Sequence, residues 1–349
     1  MNELTLNPLF RSHMVLQADK PVRVFGTGNG TVTVTLGNIT VTAVASSTGW
    51  LAELPAMPYG GPYTISISLG GHIITLEDVW VGEVIVLAGQ SNLQFKLNTS
   101  TTPPEKWQDI SRLRLFSSPR LEEGEPFKPE DGWVVCTKQN AGDWPALGYL
   151  VGELIEAKKD VAVGIITCYQ GASVIETWVP EGLFAAGGIS LTDEDKSYSH
   201  RCPQYQVWNN DGTLYHYVVE KLLPYSVGHV IWYQGESDVS PGESPVYARE
   251  LCMLIDCWRE VFLDATLPFV VVQLADLDSN TGEFLEAWRL LQQEQLDVQH
   301  MRDAVTTVIC RDVCESYDIH PPRKALLAKR IASVILGQPI PFEPDEMLG

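Results

Sequence analysis

The sequence predicts an α/β fold, a parallel sheet covered by helices on both faces and preceded by a small all-β sandwich. Three observations predict it. Short strands with period-two alternation fill the first 79 positions, near-continuous apolar runs recur from residue 80, and helical patterns separate most of those runs. The expected division is therefore a β-sandwich domain over 1–79, an α/β domain over 80–340 and a tail over 341–349.

In the first region, strands are expected at 22–26, 31–36, 39–43 and 63–68. Each is bounded by a turn signal such as Gly28-Asn29-Gly30, Gly37-Asn38 or Gly60-Gly61-Pro62. Regular short strands of this kind suggest a sandwich, and nothing in them resembles a catalytic set. In the second region the apolar runs are 84–88, 161–168, 229–234, 269–275 and 305–310. The clearest helix carries Tyr247, Leu251, Leu254, Trp258 and Val261 as a stripe after Pro245. Further helices are expected near 146–159, 213–223, 283–299 and 322–336, the last followed by Gly337 in a C-cap position.

Composition narrows the function. Lys+Arg number 24 against 44 Asp+Glu, a net charge of −20. Binding to nucleic acid or an anionic membrane depends on clustered cations, so neither is expected as a partner. A neutral or small substrate is favoured, and an acidic sugar is only weakly disfavoured because a local pocket can reverse the global sign. No apolar run approaches the ~20 residues of a membrane span. The seven cysteines sit in core-like segments, and Cys310-x3-Cys314 has no second pair at zinc spacing. Buried free thiols are expected, with no metal site. The first residues lack a basic and an apolar leader region, although a trimmed chain would read the same. A reducing, cytoplasmic location is the expectation, or a secreted or periplasmic one for a trimmed chain.

Ligands of such sheets bind beyond the carboxyl ends of the strands, and four polar clusters stand there. Gly89-Gln90-Ser91-Asn92 follows the first run, where Ser91 is either a presented nucleophile or a helix N-cap. Gly171 follows the second, offering an open backbone N–H to an oxyanion or simply a glycine with positive φ. Gln234 ends the run at 229–234, as an amide donor to an oxyanion or a satisfier of a loop carbonyl. His320 follows the run at 305–310, with Asp312 and Asp318 nearby, as a general base or a solvated loop side chain. Of the seven histidines it alone precedes Pro-Pro and a helix start. Taken together along one sheet edge, these clusters supply a nucleophile, oxyanion donors and a base. The reading is an enzyme.

The same residues resemble a known family. Asp78-Val79-Trp80-Val81-Gly82-Glu83-Val84 through Asn92 is similar to the nucleophile block of the sialate O-acetylesterase family, within the SGNH (GDSL) hydrolase superfamily. Gly171-Ala172-Ser173-Val174-Ile175-Glu176-Thr177-Trp178 resembles its glycine block and Trp232-Tyr233-Gln234-Gly235-Glu236-Ser237 its third block. Asp318-Ile319-His320-Pro321 resembles the histidine block. Asn7-Pro8-Leu9-Phe10, Met14-Val15-Leu16-Gln17 and Gly60-Gly61-Pro62-Tyr63 are similar to the family's leading β-domain.

The resemblance implies a three-layer α/β/α, flavodoxin-like SGNH hydrolase that cleaves acetyl esters of carbohydrates without metal or cofactor. It implies Ser91, His320 and Asp318 as catalytic residues, and Ser91, Gly171 and Gln234 as the oxyanion hole. Gln90, Asn92, Glu236 and Trp178 are candidates to touch the sugar, while Glu236 also reads as structural and Trp178 as packing. Two departures stand out. Many superfamily members have an acid three residues before the histidine, where this chain has Tyr317. Asp318, Asp312, Glu315 or a backbone carbonyl therefore remains to orient His320, the last as a Ser–His dyad. The stretch from Gly171 to Trp232 is also short where larger relatives carry an inserted module, so accessory sugar contacts are expected to be fewer. The implied substrate is 9-O-acetylated sialic acid, the alternatives being acetylxylan or another plant polysaccharide and, from a different class, non-catalytic carbohydrate binding. No Gly-x-Ser-x-Gly elbow supports a lipase.

Overall fold

The 18-residue strand His72–Gly89 organises the molecule. The computed structural model describes residues 4–46, 49–121 and 132–341, with fourteen strands in chain order. They are β1 (Thr5–Leu6), β2 (Val15–Gln17), β3 (Val22–Thr27), β4 (Gly30–Leu36), β5 (Ile39–Ala45), β6 (Trp50–Leu54), β7 (Gly60–Leu69), β8 (His72–Gly89), β9 (Ile110–Phe116), β10 (Trp133–Cys136), β11 (Val163–Tyr169), β12 (His229–Tyr233), β13 (Phe269–Val272) and β14 (Val305–Val308). The expected tail over 341–349 lies outside the described residues except for Pro341.

The early strands form where alternation predicts them. β3 pairs antiparallel with β1 and β6, and β4 pairs antiparallel with β5 and β7. β8 pairs with β7 through its first half and enters the large sheet with its second. The expected boundary at 79/80 thus falls inside one continuous strand. Asp78 marks the crossing, with a left-handed φ of 53°. Its carboxylate accepts from Arg114 Nη2 at 2.7 Å and Trp80 Nε1 at 2.8 Å, and meets His13 Nδ1 at 2.7 Å. These bonds offset the cost of αL backbone in a non-glycine residue.

The large sheet runs β10-β9-β11-β8-β12-β13-β14. Along this seven-strand path all pairs are parallel except β10 on β9. From β11 to β14 the order is the 2-1-3-4-5 of flavodoxin-like sheets, with β9 and β10 added outside β11. The sequence reading omits β9 because Arg112 and Arg114 interrupt its apolar run. Both are paired, Arg112 with Glu156 at 2.7 Å and buried Arg114 with Asp78.

Long helices form at Ala146–Lys159, Tyr247–Val261, Gly282–Met301 and Ala325–Ile335. The helix expected near 213–223 forms over 213–222, π-helical through Tyr215–Val219 and α-helical through Glu220–Leu222. Among the described residues no helix is long and apolar enough to cross a membrane. All seven cysteines are free thiols, five of them buried.

Candidate active site

Sheet register brings three loops to one height. Tyr169, Gly89 and Tyr233 are paired across β11, β8 and β12, so Gln170, Gln90 and Gln234 open three loops from neighbouring rungs. The loops stay zipped as they leave, with Gln170 N donating to Gly89 O at 3.0 Å and Gln90 N to Tyr233 O at 3.1 Å. Gly89 has φ 139°, and a Cβ there would lie 2.2 Å from the Tyr233 carbonyl oxygen. Only glycine permits this approach, which turns the chain into the one-turn helix Ser91–Gln94.

Ser91 does not serve as an N-cap. Gln90 holds that position without a side-chain cap bond, and the Ser91 hydroxyl faces the His320 loop, its Oγ 2.8 Å from His320 Nε2. Burial first, and then the nearby Lys324 ammonium, push the imidazole below its usual pKa, with Asp318 opposing. Neutral imidazole is the form that accepts a proton.

Gly171 stands against Ser91, since a Cβ there would sit 3.8 Å from Ser91 Cβ. Its φ is not in the left-handed region; the neighbouring Ala172 takes that conformation, with φ 54°. The positive-φ reading of Gly171 is therefore not met. Among the described residues, neither the Ser91 nor the Gly171 backbone N–H donates a hydrogen bond.

Gln234 is not brought to the reacting centre. Its side chain is fully buried, and both amide hydrogens are taken, by Ser173 O at 2.9 Å and by Asp238 Oδ2. Tyr247 donates to its Oε1 at 2.8 Å. The oxyanion role expected of Gln234 is replaced by a structural one that ties the third loop to the glycine loop.

Asp318 touches the backbone of His320 rather than its ring, with Oδ1 accepting from His320 N at 2.8 Å. Among the described residues no acceptor meets Nδ1. The other acids are engaged elsewhere. Asp312 holds Arg330 through both carboxylate oxygens at 2.6 Å, and Glu315 accepts from Arg323 N at 3.1 Å.

None of the four expected sugar contacts lines the cleft over Ser91 and His320. Gln90 Oε1 accepts from Gly235 N at 3.2 Å. Asn92 Nδ2 donates to Glu236 Oε1 at 2.6 Å and to Ile319 O at 2.9 Å, while its Oδ1 accepts from Lys324 Nζ at 2.6 Å. Burial pushes the Glu236 carboxyl up. Trp178 is 0% exposed and stacks edge-to-face on Trp232 at 6.3 Å. The open cleft over Ser91 and His320, of about 940 Å³, is walled instead by Gln94, Arg120, Tyr205 and Trp208, among others. The signal that points to the last two is a pair of aromatic residues in a polar, aperiodic stretch.

Residues 81–332 match the family described as carbohydrate esterase, sialic acid-specific acetylesterase. The chain belongs to this family. Its members are carboxylic ester hydrolases, the class that the resemblance implies. Relatives of this carbohydrate esterase include the sialate O-acetylesterase of Mus musculus, 26% identical over 92% of the chain and 70% of that protein. The Homo sapiens protein of the same name is 27% identical over 77% of the chain, which spans 57% of the human length. A carbohydrate acetylesterase from Xanthomonas citri has a similar structure, with a TM-score of 0.83 and 28% identity over 96% of this chain and 76% of that one.

Proposed function

We propose that the chain removes O-acetyl groups from carbohydrate through an acyl-enzyme on Ser91, with 9-O-acetylated sialic acid as substrate. The observation that carries the reading is the 2.8 Å contact of Ser91 Oγ with His320 Nε2 in an open cleft. His320 takes the hydroxyl proton as Oγ attacks the acetyl carbonyl. The backbone N–H groups of Ser91 and Gly171 receive the oxyanion. His320 returns the proton to the departing sugar oxygen as that C–O bond breaks. It then takes a proton from the water that attacks the acetyl-serine and returns it to Ser91 Oγ as the acyl–oxygen bond breaks, so that acetic acid leaves (as acetate at neutral pH) and Ser91 and His320 are regenerated.

The acidic-sugar reading is supported by the matching family and the mammalian relatives, which carry sialic acid or sialate in their names. The test is acetate release from 9-O-acetylated sialic acid and from acetylated xylan, with Ser91→Ala as control. Release from the sialate, lost by more than about 10³-fold in the variant, is the expected result. Release from xylan alone overturns the substrate, and full activity of the variant overturns the mechanism.

A further inference from the structure

Between the glycine loop and β12 the chain makes a short polar excursion carrying Tyr198, Tyr205 and Trp208. Its anchor is Asn209, which is 2% exposed. Asn209 Nδ2 donates to Ala172 O at 2.8 Å and to Ser199 O at 3.0 Å, while its Oδ1 accepts from Val174 N at 3.1 Å. Thr177 Oγ1 donates to Trp208 O. The excursion is thereby fixed to the same glycine loop that faces Ser91.

This anchoring sets two rings into the cleft wall. Tyr205 and Trp208 lie with centroids 5.6 Å apart and planes at 35°, and Tyr198 meets Tyr205 edge-on at 6.5 Å. Tyr205 and Trp208 share the cleft with Ser91, Gly171 and His320. The Trp208 indole N–H is buried and finds no acceptor among the described residues. Phenylalanine would fill that wall without an unpaired donor, so packing alone does not account for a tryptophan here. Elsewhere the cleft presents Ser117, Thr167 and Arg120. The cleft thus combines aromatic rings with hydroxyl, amide and charged groups, an arrangement that suits a ligand with a C–H face and a rim of hydroxyls.

We propose that Tyr205 and Trp208 are the sugar platform of this esterase, stacking on the pyranose ring whose acetyl group enters between Ser91 and Gly171. The inference rests on the carbohydrate reading above. It makes these rings the source of discrimination between acetylated sugars and simple acetate esters.

The experiment compares kcat/KM for an acetylated pyranoside and for ethyl acetate in wild type, Trp208→Leu and Trp208→Phe. The expected result is that Trp208→Leu loses at least about tenfold more on the sugar than on ethyl acetate, chiefly through KM. Trp208→Phe, which keeps an aromatic face, recovers most of that discrimination. Parallel losses on both esters, or no loss on either, would overturn the platform while leaving the carbohydrate reading intact. A wild-type enzyme that cleaves ethyl acetate but no acetylated sugar overturns both.

Discussion

Asn92 and Ile319, 227 positions apart, are joined by a 2.9 Å hydrogen bond from the Asn92 amide to the Ile319 carbonyl. One residue follows Ser91, the proposed nucleophile, and the other precedes His320, its proposed base, so this bond helps to set the Ser91–His320 approach. Lys324, fully buried, and Glu236 complete the knot around the same amide. Asn92→Ala leaves an ammonium, a carboxyl and a carbonyl without this partner. We expect a loss of about 2–3 kcal/mol in stability and of about 10–100-fold in kcat from misplacement of the pair. Thermal melts and p-nitrophenyl acetate kinetics check both, and an unchanged kcat would remove Asn92 as a positioning residue.

Asp318 yields a second prediction, because its observed bond needs only an acceptor. Asparagine at 318 can still accept from the His320 N–H, so Asp318→Asn should stay within about threefold of wild type. Asp318→Ala, which drops the acceptor, should lose about tenfold. A loss of about 10⁴ from the asparagine variant, the size seen where an acid fixes a histidine tautomer, would place the carboxylate on the ring during turnover.

The legible parts of this molecule are those set by local pattern. Ser91 and His320 stand at strand ends in the sequence and meet at strand ends in space. Gln234 also stands at a strand end, yet its two amide hydrogens are claimed by Ser173 and Asp238, a partnership fixed by tertiary packing. Trp178 and Trp208 look alike as letters. Trp178 is buried by Trp232 on β12, which in turn packs on Trp258 of a distant helix, and no local signal reports that. β9 is not legible as a strand because its arginines are neutralised by Glu156 and Asp78, partners remote in sequence.

The pH profile follows from the surroundings of His320. Burial and the Lys324 ammonium both disfavour imidazolium, so the ring's pKa lies below 6.5. With His320 as the proposed base, activity needs the neutral ring and falls as pH drops through that lowered value. The acid limb of kcat/KM on p-nitrophenyl acetate should have its half-point below pH 6.5. Lys324→Gln keeps an amide donor for Asn92 but removes the positive charge, and should move the limb upward. A limb that stays put in that variant would show that the ammonium is not felt at the ring.

His200 governs a separate pH dependence, that of stability. Its Nδ1 lies 2.6 Å from Glu243 Oε1 and its Nε2 2.7 Å from Glu176 Oε2, with Lys196 Nζ 3.9 Å from Glu176. Only imidazolium carries a proton on both nitrogens. Burial opposes the charge, but the bonds to Glu176 and Glu243 outweigh it and raise the pKa from 6.5 to about 9. Because the folded value lies above the unfolded one, the stabilisation is complete below pH 6.5 and is lost as pH rises through 9. Its size is on the order of 3 kcal/mol. Urea unfolding should therefore give a lower free energy at pH 9.5 than at pH 6.5, with a shallower decline in His200→Gln. A variant that declines as steeply as wild type would mean that another group sets the slope.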